Sequence, residues 1–318
     1  MRWEYPELKG LKHVKMKNVL LLGFMGDNFL KKKIHVWESA KSVIKIDENG
    51  KIVSTSEPLV KYCPIRNHLY KVDRITTRDI KKSMEWKIKN LGMCNKNRIL
   101  TSKIAGVGYG ASECFMTALD KKLLDVAVIV CEGAGTIISN NKDVIQGVGF
   151  PMNALISTFP IKEIISRLEK LGVIIVDPEN ASIYQINGVK KAIDLKYKRI
   201  GVTIAGPNCE AIETLRNFEE KYKVKILICV VHTTGVKSTD EKYLKRADIV
   251  QSCASKIIRI DLENKNKYLS KYGNKIPVYA YTKFGQKILD ERNKEMKKNP
   301  PSIKIGDKIP NNVPEPLL

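Results

Sequence analysis

Most devices that announce a chemistry are scarce or missing in this 318-residue sequence. It holds only four histidines, and none of its seven cysteines forms a C-x-x-C pair, the usual local anchor of zinc ribbons and dithiol centres. An odd cysteine count in a chain of this length also speaks against a disulfide framework and for reduced thiols or metal ligands. No apolar run approaches the ~18 to 20 residues of a membrane span, and the stretch from Val19 to Phe24 falls far short. The first residues, with Glu4, Pro6 and Glu7 close behind Arg2, do not read as a secretory signal, so a cytoplasmic location without membrane attachment is expected. No P-loop and no dinucleotide fingerprint occurs. No helix-turn-helix, zinc-finger or RNP-type aromatic pattern accompanies the lysines, so nucleic acid is disfavoured as a partner.

What the chain does have is positive charge, formally +22, and it is unevenly spread. Residues 1–100 carry 22 Lys/Arg against 10 Asp/Glu and residues 251–300 carry 12 against 5, while residues 101–250 are nearly balanced at 20 against 17. Solvated lysine faces account for such an excess in the simplest way. An acidic protein partner or an anionic small molecule would also be attracted to it.

The organising stretch runs from Arg98 to Thr136. An apolar run is broken at Gly106, Gly108 and Gly110, an amphipathic segment follows, and Val126 to Val130 is apolar again. That order predicts a strand, a glycine turn, a helix and a second strand joined as a right-handed crossover. Ser112 stands where a helix N-cap is expected, which would leave free amides pointing out of the turn toward an anion. Downstream, strands are expected at Arg199–Ala205, Lys225–Val231 and Asp248–Gln251, alternating with helices at 188–196 and 210–222. An α/β fold with a largely parallel sheet and flanking helices follows. Upstream, Asn49-Gly50 between two alternating runs predicts a hairpin with a type I′ turn, and Thr76 or Thr77 with Asp79 starts a helix that Gly92 closes. The segment 137–153 reads as an irregular lid. The expected divisions are a basic extension over 1–34, a hairpin and helix region over 35–97, the α/β domain over 98–298, and an unpacked Pro-rich tail over 299–318.

Three strand ends then carry reactive side chains: Cys131-Glu132, His232-Thr233-Thr234 and Cys253. Parallel strands would place these tips on one edge, where open α/β sheets bind ligands. Cys114, Cys209 and Cys229 fall inside expected helices or strands and read as small buried hydrophobes. Cys63, Cys94, Cys131 and Cys253 fall in loops or at strand ends, where four thiolates could hold zinc or an iron-sulfur cluster, or one could act as a nucleophile.

Seven short motifs in order, H-V-W-E-S-A at 35, K-Y-C-P at 61, G-M-C at 92, G-A-S-E at 110, V-C-E-G-A-G at 130, V-H-T-T-G at 231 and S-C-A-S-K at 252, resemble methanogenesis marker protein 8. The resemblance spans about residues 35 to 295. It implies an archaeal setting and a part in methanogenesis or in maturing its machinery. It also implies that Cys63, Cys94, Cys131, His232 and Cys253 matter, because they lie within the shared motifs. The expected site has Cys131 as central thiolate, with Cys63, Cys94 and Cys253 completing a zinc or iron-sulfur centre. Glu132 and His232 would move protons, and Gly106, Gly108, Gly110, Ser112, Thr233 and Thr234 would hold the anionic group of a coenzyme. Two alternatives remain open: a metal-free Cys/His enzyme on an anionic coenzyme, and an assembly factor for a methanogenic enzyme complex.

Overall fold

The computed structural model of the chain describes residues 33–150, 153–302 and 311–318. Almost all of the basic N-terminal extension lies outside these residues.

The N-terminal region is a meander of β1 (Ile34–Ser39), β2 (Ser42–Asp47) and β3 (Ile52–Thr55), followed by α1 (Pro64–Tyr70) and α2 (Thr77–Leu91). The expected hairpin joins β2 to β3, but of its turn residues only Gly50 has positive φ, so the turn is not type I′. A tighter hairpin lies one strand earlier. Ala40 and Lys41 form the two-residue loop between β1 and β2 with φ of 54° and 62°. Neither is Gly, Asn or Asp, so the usual sequence signal was absent. Helix α2 begins and ends as expected: Thr76 and Asp79 make a reciprocal capping box, and Gly92 closes it in the left-handed conformation.

The organising stretch departs from expectation at its start. Residues 98–105 form no strand, and the unit opens directly with α3 (Ala111–Asp120) before β4 (Val126–Cys131). The anticipated lid is regular structure: β5 (Gly135–Ser139) folds back on β4, α4 (Lys142–Gly149) follows, and β6 (Ala154–Ser157) joins the small sheet beside β1. Next come α5 (Lys162–Lys170), β7 (Ile174–Ile175), α6 (Gln185–Asp194), β8 (Arg199–Ala205), α7 (Ala211–Tyr222), β9 (Lys225–Val231), α8 (Glu241–Leu244) and β10 (Ile249–Gln251). A π-helical turn over Ile257–Leu262, then β11 (Ser270–Tyr272), β12 (Val278–Ala280) and α9 (Lys283–Lys298), complete the larger unit.

Two sheets result, one of four strands in the order β3-β2-β1-β6 and one of eight in the order β11-β12-β10-β9-β8-β4-β5-β7. In the larger sheet β4, β8, β9 and β10 are parallel, and antiparallel strands extend both sides. The architecture is therefore α/β with a mixed sheet, parallel at its centre. Both faces are covered, which explains why β9 is an almost unbroken apolar run. Ala127, Ile129, Leu227 and Cys229 pack on one side with Phe115 of α3 and Ile288 of α9, while Val128, Val202, Ile228 and Val230 pack on the other with Val189 of α6 and Ile212 of α7.

The last eight residues are tied down. Lys61 and Tyr62 both donate backbone hydrogen bonds to the Glu315 carbonyl oxygen, and the Leu318 amide donates to Ala254. This segment links the chain beside Cys63 to the chain beside Cys253.

Candidate functional site

The carboxyl ends of β4, β8, β9 and β10 face the small sheet across a cavity of about 1280 Å³. That exceeds the ~300–1,000 Å³ of ordinary ligand pockets, so a coenzyme-sized molecule fits. Glu132, His232, Thr234 and Cys253 line it from the strand ends, Cys63 and Arg66 from the start of α1, and Glu38, Ser39 and Lys87 from β1 and α2. Gly108, Gly110 and Ser112 also line it, whereas Gly106, Thr233, Cys94 and Cys131 do not. No helix among the described residues is long and apolar enough to cross a membrane.

His232 and Cys253 each follow a parallel strand, and each holds its backbone in the left-handed region, at φ of 52° and 42°. For a residue with a Cβ that conformation is costly, and it persists where the surroundings over-determine it, often at functional sites. The loops carrying them are tied together. The Thr233 hydroxyl donates to the Gln251 carbonyl oxygen at 2.6 Å, and the Ala254 amide donates to the Thr234 hydroxyl at 3.1 Å. The half-buried His232 has its pKa lowered to about 4, first by burial and then by the charge of Lys41, so it is neutral at pH 7. Burial raises the pKa of Cys253. The Thr233 amide opposes that rise by hydrogen bonding to the sulfur, and Glu38 and Cys63 add to it. Lys41 is thus a charged neighbour of Glu38, His232 and Cys253 together, delivered by the strained two-residue hairpin.

Cys131, expected to be the central thiolate, is fully buried, and its thiol donates to the Glu132 carbonyl oxygen at 3.3 Å. Burial and then the Glu132 carboxylate push its pKa well up, which keeps it protonated. Cys94 is equally enclosed and accepts a hydrogen bond from the Trp37 indole nitrogen at 3.1 Å. Glu132 pairs with Arg98 at 2.5 Å, both side chains being 1% exposed. Arg98 also donates to the carbonyl oxygens of Ile99, Gly147 and Val148. The four cysteines expected to share one metal therefore separate into a dry pair, Cys94 and Cys131, and a cavity-facing pair, Cys63 and Cys253. Among the described residues no group of three or more His, Cys, Asp or Glu side chains is placed to hold a metal ion.

The glycine turn carries a carboxylate of the protein itself. Gly110, not Ser112, is the N-cap of α3. The Glu113 carboxylate turns back to accept from the amides of Gly106 at 3.0 Å and Val107 at 3.1 Å, from Gln146 at 3.0 Å and from the Ser112 hydroxyl at 3.0 Å. A Cβ at Gly110 would lie 2.1 Å from the Glu113 carboxylate, so the glycine there serves close packing. The anion expected at this turn is thus internal.

Sequence reading missed the charged wall opposite His232. Lys87 is 6% exposed, and its amine donates to the Asn153 side-chain oxygen at 2.7 Å. Arg66 donates to the Ser39 hydroxyl. Burial, followed by the neighbouring Arg66, lowers the Lys87 pKa well below the usual lysine range. One signal was available: Ile80, Ser83, Met84 and Lys87 form the buried stripe of α2, and a lysine within such a stripe is anomalous.

Residues 35–294 match a family model described as an uncharacterized protein conserved in archaea (DUF2099). The chain belongs to this family. It is also similar to "Uncharacterized protein MJ0054" of Methanocaldococcus jannaschii, with 39% identity over 284 residues, covering 89% of this chain and 99% of the relative. The matched span coincides with the one over which the motif resemblance runs. The family's description names neither methanogenesis marker protein 8 nor an activity.

Proposed function

We propose that the chain binds an anionic small molecule, a coenzyme or its precursor, in the cavity between the two sheets, and that Cys253 and His232 act on it without a metal. The observation that carries this reading is the pair of left-handed residues, His232 and Cys253, closing adjacent parallel strands on one cavity. Cys253 is the better nucleophile than Cys131 because it faces the cavity, has the Thr233 amide at its sulfur and has Lys41 and Arg259 as charged neighbours. The neutral imidazole of His232 can accept a proton from the bound molecule. The cavity lining carries Arg66, Lys87 and Lys275 against Glu38, Glu113, Glu132 and Glu210. Glu132 is taken by Arg98, Glu113 by the amides of the glycine turn and Glu38 by the Lys41 amide, which leaves Arg66 and Lys275 to attract an anion. The resemblance to methanogenesis marker protein 8, with a relative in Methanocaldococcus jannaschii, supports a place in methanogenesis, whose coenzymes bear sulfonate, phosphate or carboxylate groups.

Alkylation of the native, reduced protein with iodoacetamide, mapped by peptide mass, tests the reading. Cys253 is expected to react fastest of the seven cysteines and to be slowed by phosphate or ethanesulfonate. Reaction at Cys253 that is no faster than at Cys63 and indifferent to both anions would defeat it.

A further inference from the structure

The wall formed by α1, α2 and β1 contains an arrangement that the Cys253/His232 chemistry does not use. Lys87 projects from a helix fixed at both ends by its caps, and it lines the cavity although the residue is almost wholly buried. The Asn153 side-chain oxygen receives one of its N–H groups at 2.7 Å and fixes the direction of the nitrogen. That oxygen is an uncharged acceptor, so it orients an amine without demanding that it be charged. The Ser39 hydroxyl lies 3.5 Å from the same Asn153 oxygen and accepts from Arg66. A guanidinium and an amine therefore stand side by side on one wall, bridged by two polar side chains. The two cations do not respond alike. A guanidinium keeps its charge in almost any surroundings, whereas a buried amine beside it holds its proton less firmly, and burial and then Arg66 act on Lys87 in that direction. An amine whose hold on its proton is weakened is the better nucleophile, and a guanidinium next to it is a fork for a carboxylate.

We propose that Lys87 condenses with the carbonyl group of a 2-oxo acid whose carboxylate is held by Arg66. This deepens the proposed function, since it rests on the cavity being a ligand site, and it names the class of molecule. The Lys87 nitrogen adds to the carbonyl carbon. A proton passes from nitrogen to the carbonyl oxygen, and water leaves to give an imine, with no oxidant or metal consumed. The carboxylate stays on Arg66 throughout. The imine draws electrons from the adjacent carbon, where the thiol and imidazole on the opposite wall could then act.

The test uses the full chain at neutral pH with pyruvate and sodium cyanoborohydride, which reduces an imine to a stable carboxyethyl amine that peptide mapping locates. Lys87 is expected to carry the adduct in about tenfold or greater excess over Lys82 and Lys89, exposed lysines of the same helix. Arg66→Gln is expected to lose the preference for pyruvate over acetone. Lys87→Arg removes the adduct and leaves Arg66 in place to hold an anion, so phosphate should still slow Cys253 alkylation. Labelling of Lys87 no greater than that of Lys82 and Lys89 in the unaltered protein overturns the proposal whether or not any variant folds. If phosphate still protects Cys253 in that case, the imine falls and the ligand site stands; if protection is also absent, both fall.

Discussion

Cys131 and Cys253 both follow a central parallel strand or end one, and both sit in motifs of the same kind, yet the protein treats them in opposite ways. Around Cys131 the side chains are buried against one another: Cys94 meets Trp37, Glu132 meets Arg98, and His35 stacks on Phe159 with ring centroids 4.1 Å apart. Around Cys253 the same residue types face open volume. A strand end on the correct edge is thus not enough to make a reactive group. What separates the two regions is whether open volume reaches the thiol.

The largest expected effect would come from opening the dry region. Arg98→Ala leaves the Glu132 carboxylate buried without its cation, a change that costs about 3–5 kcal/mol, read as a lower urea midpoint. Arg66→Gln, on the cavity wall, should cost less than about 1 kcal/mol in the same assay. A similar cost for the two would erase the distinction.

Acidification comes next. The pKa of the fully buried His35 is lowered to about 4 by burial, against 6.5 for the free side chain. Above pH 6.5 it is neutral folded or unfolded, and its contribution is complete. Between pH 6.5 and 4 only the unfolded chain takes up the proton, so stability falls as pH falls, by up to roughly 3 kcal/mol from this group. Replacing it, as in His35→Phe, should flatten the slope of unfolding free energy against pH across that window. An unchanged slope would show that His35 titrates normally.

The thiols give a smaller contrast. Cys131→Ser puts a hydroxyl where the site is fully buried, at a cost of about 1–3 kcal/mol. Cys253→Ser keeps an acceptor for Thr233 and faces the cavity, so its cost should stay near 0.5 kcal/mol in either direction. Denaturant melts of the two variants would report both values, and equal losses would count against the cavity assignment.

Much of this division could be read from the residues alone, and part could not. Strands β8 and β9 fall on the expected residues, and α2 within two, because apolar runs and caps are local signals. Cys114 in α3 and Cys229 in β9 are buried, as their positions inside elements implied, and Cys209 is buried although it lies in the turn before α7. The strand expected before Gly106 failed because that segment's backbone is spoken for elsewhere: the Ser102 amide reaches Asp143, and the Ile99 amide reaches Leu91. The Ala40-Lys41 turn was invisible because its strain is imposed by tertiary contacts, among them the amides of Leu59 and Val60 on the Ala40 carbonyl oxygen. The pairing of Arg98 with Glu132, and the filling of the glycine turn by Glu113, are side-chain choices made only once distant segments meet. No spacing rule reports them.

The finest test compares the two imidazoles while an anion is added. Both are lowered to about 4 by burial, but only His232 faces the cavity and has the charge of Lys41 among its causes. An anion bound there would offset Lys41 and favour the imidazolium, so the His232 pKa should rise by about 1 pH unit. His35, enclosed between Phe159 and Thr158, has no route to the anion and should not move. NMR titration of the imidazole C–H protons with and without phosphate would follow both, with His232→Gln identifying the signal. A parallel shift of the two would mean that phosphate acts on the whole molecule's charge and not in the cavity. A rise confined to His232 would place the anion beside Cys253, where the thiol chemistry needs it.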